Sequence, residues 1–213
     1  MSDTISSLLA PHDASSRAIG APGRDWMTFG QLRDLSQTTK ASLHEIGIGP
    51  TSRVAIVLPN GPEMAAAFIT IAGSAVTAPL NPAYREDEYD FYLSDLNAAA
   101  LVVAADYDGP ALPAAKKHQI RVVRLQSDEN KPAGWFSLAP EGASEIGAAG
   151  SPMDPGADHT ALVLHTSGTT SRPKIVPLLQ RNLAASARHI SKTLALTPQD
   201  KCLNIMPLFH IHG

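Results

Sequence analysis

The sequence predicts an α/β fold, a mostly parallel β-sheet covered by helices on both faces. Apolar runs of strand length at 53–58, 76–80, 100–104, 122–125 and 160–165 are continuous, as expected of strands buried on both sides. Several of the intervening stretches carry apolar residues at steps of three and four, the period of an amphipathic helix. Strand and helix patterns therefore alternate, which is the order of a parallel sheet. Such sheets bind ligands at the carboxyl ends of their strands.

Thr28 and Gln31 have the spacing of a capping box. Behind them Leu32, Leu35, Thr39, Leu43 and Ile46 form one helical face, which Gly47 closes. The run at 53–58 ends in Pro59-Asn60-Gly61-Pro62, and Pro62 suits the first turn of a helix that buries Met64, Phe68 and Ile71. A strand at 76–80 follows. Glu86, Asp87 and Glu88 then crowd a helix start, where carboxylates complement the dipole, and Tyr89, Tyr92, Leu93 and Leu96 make its apolar stripe. Strands follow at 100–104 and 122–125. Residues 126–158 are rich in Gly, Ala, Ser, Pro and acidic side chains and read mostly as loop, with Trp135-Phe136 as anchor. A strand at 160–165 comes next. Asn182 is placed to cap a helix with Leu183, Ala187, Ile190 and Leu194 on one face, and 202–206 reads as a final strand. The chain divides into an N-terminal segment with its capped helix, 1–50, and an α/β part, 51–213.

With 213 residues the chain is long enough for one large domain or two small ones. A net charge of -3 supplies no basic field, so nucleic acid is not expected as the partner. The single cysteine, Cys202, excludes an intrachain disulfide and a thiolate metal cluster, and a reducing cytoplasm suits it. Residues 1–10 show no signal-peptide pattern, and no run approaches the roughly 18 apolar residues of a membrane span.

The most informative stretch is Thr166-Ser167-Gly168-Thr169-Thr170-Ser171-Arg172-Pro173-Lys174, directly after the apolar run that ends in His165. A buried strand emptying into such a loop presents backbone N–H groups, hydroxyl donors and one ammonium to a polyphosphate. It is not a Walker A loop, because no glycine precedes Lys174 and no hydroxyl follows it.

The stretch resembles the phosphate-binding loop of the adenylate-forming superfamily, whose usual form is Thr-Ser-Gly-Thr-Thr-Gly-x-Pro-Lys-Gly. Thr166, Ser167, Gly168, Thr169, Thr170, Pro173 and Lys174 match it one for one. Ser171 and Ile175 stand where glycines are usual, and a β-branched residue forced to positive φ at 175 would strain the loop. Asn60-Gly61-Pro62-Glu63 and Pro79-Leu80-Asn81-Pro82-Ala83-Tyr84 resemble two further core segments of the superfamily and read as structural turns. The resemblance runs from about Ala18 to Gly213, and superfamily members are far longer. An N-terminal fragment, truncated after Gly213, is therefore expected, without the segments that supply adenine, ribose, hinge and second-lysine contacts.

Met206-Pro207-Leu208-Phe209-His210-Ile211-His212-Gly213 resembles the superfamily's Pro-[Leu/Met]-Phe-His-x-x-Gly element, which lines the carboxylate-substrate pocket. The match assigns His210 to the acid, with His212 second by position. Two histidines at i, i+2 share a face of an extended segment, but no third ligand lies nearby in sequence and no protein metal site is expected. His44, His118 and His189 read as surface or boundary residues. His165, just before the loop, reads as a side chain supporting it.

The resemblance implies ATP-dependent activation of a carboxylic acid to an acyl-adenylate, then ligation to coenzyme A, in the intact enzyme. Thr166, Ser167, Gly168, Thr169 and Thr170, with Ser171, Arg172 and Pro173 in the same loop, would hold the ATP phosphates, and Lys174 would offset charge on the leaving pyrophosphate. Mg²⁺ would arrive with ATP. Ser171-Arg172, His165 and the Phe-His-Ile-His ending look like the oxalate–CoA ligase branch. The alternative is a catalytically incomplete nucleotide-binding fragment of a fatty-acid or aryl-acid CoA ligase. A different nucleotide-binding protein, such as a small kinase, is disfavoured by the missing Walker A loop.

Overall fold

The computed structural model of the protein describes residues 3–142, 152–166 and 173–210. In chain order these form α1 (Ile5–Leu9), β1 (Arg17–Ile19), β2 (Met27–Thr28), α2 (Phe29–Glu45), β3 (Arg53–Val57), α3 (Pro62–Ala72), β4 (Val76–Pro79) and α4 (Glu86–Asp95). They continue with β5 (Ala100–Ala104), α5 (Ala111–Lys117), β6 (Arg121–Ser127), β7 (Phe136–Pro140), β8 (Thr160–Thr166), β9 (Lys174–Leu179) and α6 (Gln180–Thr193). Strands β1 and β2 make a small antiparallel ribbon, and the main sheet runs β7-β6-β5-β3-β4-β8-β9. Its five inner strands are parallel and the two margins, β7 and β9, are antiparallel.

The continuous apolar runs work because each inner strand faces helices on both sides. Val54 and Ile56 of β3 point with Ala100 and Val102 of β5 into a core that includes Leu32, Leu35, Met64 and Ile71 of α2 and α3. Their alternates, Ala55 and Val57 with Leu101 and Val103, meet Tyr89, Leu93, Ala111 and Ala114 of α4 and α5. A period of two distributes one run over two cores.

The helix ends follow local chemistry. Thr28 and Gln31 form the expected reciprocal box at the start of α2, with Oγ1 accepting from the Gln31 N–H and Gln31 Oε1 from the Thr28 N–H. At its other end Gly47 adopts φ 78° and donates to His44 O, while Ile48 donates to Leu43 O, a Schellman closure. The same paired bonds close α4, α5 and α6, but with Asn97, Gln119 and Ala195 in the left-handed position.

Several expectations are corrected. The loop-rich stretch 126–158 contains β7, paired with β6 from Val123↔Pro140 to Ser127↔Phe136; buried Phe136 anchors a short margin strand whose composition hides it. Residues 174–179 form β9, unforeseen because Pro177 interrupts the run, although a margin strand tolerates proline. Asn182 is the third residue of α6 and not its cap; its Oδ1 accepts the Leu179 N–H at 2.9 Å. The buried face of α6 is Gln180 and Ala184, while Ala187, Ile190 and Leu194 are exposed. Gln180 is fully buried and satisfied, accepting from the Ile5 N–H at 3.0 Å and donating to Ala72 O at 2.6 Å. Phe68 is only half-buried. Residues 202–206 are not a strand: Leu203 and Ile205 are 85% and 78% exposed, and no described strand lies alongside them.

Candidate functional site

The strand preceding the hydroxyl-rich loop is β8. It joins β4 in parallel at Thr77↔Leu162, and buried Thr77 adds a bond from Oγ1 to Ala161 O at 2.8 Å. β9 returns antiparallel along β8, with Thr166 opposite Lys174 and His165 opposite Ile175. Seven residues, 167–173, therefore connect two paired strands, and their anchor points sit side by side at the carboxyl end of β8. Thr166 Oγ1 reaches Lys174 O at a long 3.5 Å, and the Lys174 side chain is exposed. Of the nine predicted loop residues, Thr166, Pro173 and Lys174 are described; Ser167, Gly168, Thr169, Thr170, Ser171 and Arg172 lie outside the described residues. Ile175 is a strand residue with no positive φ, and it packs against the α4 and α5 core, so it brings no backbone strain to the loop's exit.

His165 is held from the side. Its side chain is 6% exposed, its Nε2 lies 3.0 Å from Asp95 Oδ2, and its ring meets that of Tyr92 edge-on at 4.7 Å. Tyr84 stacks on Tyr92 at 4.8 Å, and burial pushes the Tyr84 hydroxyl well above its usual range, the bond with Tyr92 adding to the effect. The end of β8 thus rests on an aromatic ladder of Tyr92 from α4 and Tyr84 from the turn before it, against which the His165 ring packs. Asp95 and Tyr92 had no sequence signal beyond helical spacing.

The segment before His210 approaches the same edge of the sheet. Asn60, three residues beyond the end of β3, uses both ends of its amide. Its Oδ1 accepts the Leu208 N–H at 2.8 Å and its Nδ2 donates to Met206 O at 3.3 Å. Leu208 packs against the core between the sheet and α2, and the His210 N–H donates to Pro207 O at 3.0 Å, closing a turn. β3 and β8 are parallel and separated only by β4, which sets their carboxyl ends roughly 10 Å apart across two strand spacings. The loop anchors and the His210 turn therefore share one edge. His212 lies outside the described residues. Asn60 escaped sequence reasoning as a functional residue because Asn-Gly-Pro reads as a turn; its place just past a strand's carboxyl end was the available signal.

Arg24 ties α3 to the loop before β7. It pairs with Glu63 Oε1 at 2.5 Å and donates to the carbonyls of Asp128, Lys131 and Pro132 at 3.1 Å each. Glu63 Oε1 also accepts the Gly134 N–H at 3.3 Å, so the helix that begins beside Asn60 is fixed in place. Among the described residues no group of three His, Cys, Asp or Glu side chains is arranged to hold a metal ion, and no helix is long and apolar enough to cross a membrane.

An oxalate–CoA ligase of Arabidopsis thaliana is 38% identical over 217 residues, covering 100% of this chain and 42% of that protein. An oxalate–CoA ligase of Saccharomyces cerevisiae is 36% identical, covering 75% of this chain and 33% of its own. The ATP-bound crystal structure of MatB from Rhodopseudomonas palustris superposes with a TM-score of 0.81 at 25% identity, over 100% of this chain and 42% of that one. The chain thus spans less than half the length of these relatives. The AMP-binding enzyme family matches residues 10–213, almost the whole sequence, and the chain belongs to that family.

Proposed function

We propose that the chain is the N-terminal, nucleotide-binding part of an ATP-dependent acid–thiol ligase that activates a small carboxylic acid, oxalate foremost. The observation that carries this reading is the β8–β9 hairpin, whose described anchors Thr166 and Lys174 lie at the same edge of the sheet as the turn that holds His210. The acid's carboxylate oxygen attacks the α-phosphorus of ATP, the bond to the β-phosphate oxygen breaks, and pyrophosphate leaves with its charge. The coenzyme A thiolate then attacks the acyl carbon and AMP departs. The loop 166–173 holds phosphate oxygens by N–H and hydroxyl donors, and Lys174 supplies a positive charge that counts most as the leaving group develops. Mg²⁺ enters as the counter-ion of ATP, bound through its phosphates. The exposed lone cysteine, Cys202, suits a reducing compartment such as the cytoplasm.

His210 sets the choice of acid, with His212 secondary. A histidine donor holding the distal carboxylate of a diacid leaves that charge poorly paired when it is removed. The test is acid-dependent pyrophosphate release by the full-length protein with oxalate, acetate, hexanoate and coumarate. Oxalate is expected to be preferred, and His210→Ala to raise KM for oxalate more than KM for ATP. A preference for a fatty or aryl acid would replace the oxalate assignment by the alternative.

A further inference from the structure

The proposed reading places His210 against the acid but leaves open what holds its segment in register with the sheet. We infer that Asn60 does so, as a positioning residue for acid binding; this rests on the acid-activation reading above. β3 lies between β4 and β5, so the chain leaves β3 in one direction and later crosses to its other side. Asn60 sits at that switch point, where the loops after β3 and β5 diverge. Its backbone is confined by Pro59 before it and by Gly61-Pro62 after it, where α3 begins. From there one amide receives the Leu208 N–H and donates to Met206 O, a two-point attachment that fixes both the height and the direction of the crossing strand of chain. Leu208 supplies the apolar anchor, and the turn from Pro207 carries His210 out of it.

Around this attachment, residues 201–206 are exposed, and Leu208 packs against the core that includes Leu58, just past the end of β3. The connection spans 146 and 148 residues of chain, so the two motifs meet only in the fold. An asparagine suits the position because its short amide carries an acceptor and a donor on two separate atoms, one for each end of the attachment. Alanine offers neither, and aspartate keeps only the acceptor.

The test uses the full-length enzyme with substitutions at Asn60. Asn60→Ala should raise KM for the preferred acid about tenfold, the loss of two modest hydrogen bonds, while KM for ATP and the melting temperature stay within experimental scatter. Asn60→Asp, which retains the 2.8 Å contact, should fall between the wild type and Asn60→Ala. Amide hydrogen exchange at Leu208 should quicken in Asn60→Ala while exchange within α3 is unchanged. If both KM values rise together, or the acid KM and Leu208 exchange do not move, Asn60 is not a positioning residue. If the wild type releases no pyrophosphate with any acid, the underlying reading fails and the acid role of Asn60 with it. An active wild type with an indifferent Asn60→Ala variant overturns the Asn60 role alone.

Discussion

Lys174 stands at the first position of β9, opposite Thr166, with its side chain exposed. An ammonium there adds nothing to the cores, so its worth lies in what it faces. Lys174→Ala in the full-length enzyme should slow adenylation by tens- to hundreds-fold, about 2–4 kcal/mol, with the melting temperature unchanged. Pyrophosphate release and a thermal melt of the same preparation check it; an unchanged rate removes Lys174 from the reaction. Lys174 stands out as a candidate because residue type and order mark it: five hydroxyls, a glycine, a proline and a lysine behind a buried strand. Asn60 and Asp95 were not legible in that way. Each acts on a partner far along the chain, Asn60 on Leu208 and Asp95 on His165, and no local pattern encodes such a pairing.

At the scale of elements, strands buried on both faces and helices with strong caps were readable. α2 was bounded at both ends by Thr28, Gln31 and Gly47, each through a specific bond. The closures of α4, α5 and α6 were hidden because their left-handed residues are Asn97, Gln119 and Ala195 and not glycine. A left-handed conformation costs an ordinary side chain roughly 1 kcal/mol relative to glycine. Gln119→Gly should therefore stabilise the protein by about 0.5–1 kcal/mol, read as a higher denaturation midpoint with an unchanged slope. A lower midpoint would mean that the Gln119 side chain contributes more than its strain costs. The margins β7 and β9 were missed for a related reason: short, proline-bearing strands are specified by the neighbour they lie against, and composition alone does not reveal the neighbour.

For the whole molecule, the exposed stripe Ile190, Leu194 and Leu196 and the exposed Leu203 and Ile205 leave apolar surface beside the carboxyl half of the chain. The chain also spans 42% of an oxalate–CoA ligase relative. Because that relative is more than twice as long, the isolated 213-residue chain is expected to position both reactants incompletely and to show no acid-dependent pyrophosphate release. Turnover by the isolated chain would overturn the fragment reading. The predicted fold class was right because the pattern repeats along the sequence, whereas the exposed face of α6 looked like any buried stripe; periodicity reports amphipathicity and not what covers it. The attachment of β8 has a consequence in time. β3, β4, β5 and β6 are joined by successive crossovers, but β8 meets β4 across 84 residues, through one described backbone pair and the Thr77 hydroxyl. Closing so long a segment is rewarded only after the local crossovers exist. The β8–β9 hairpin, local to itself, can form early and still dock late, so the β8–β9 edge is expected to be the last part of the sheet to be committed as the chain folds.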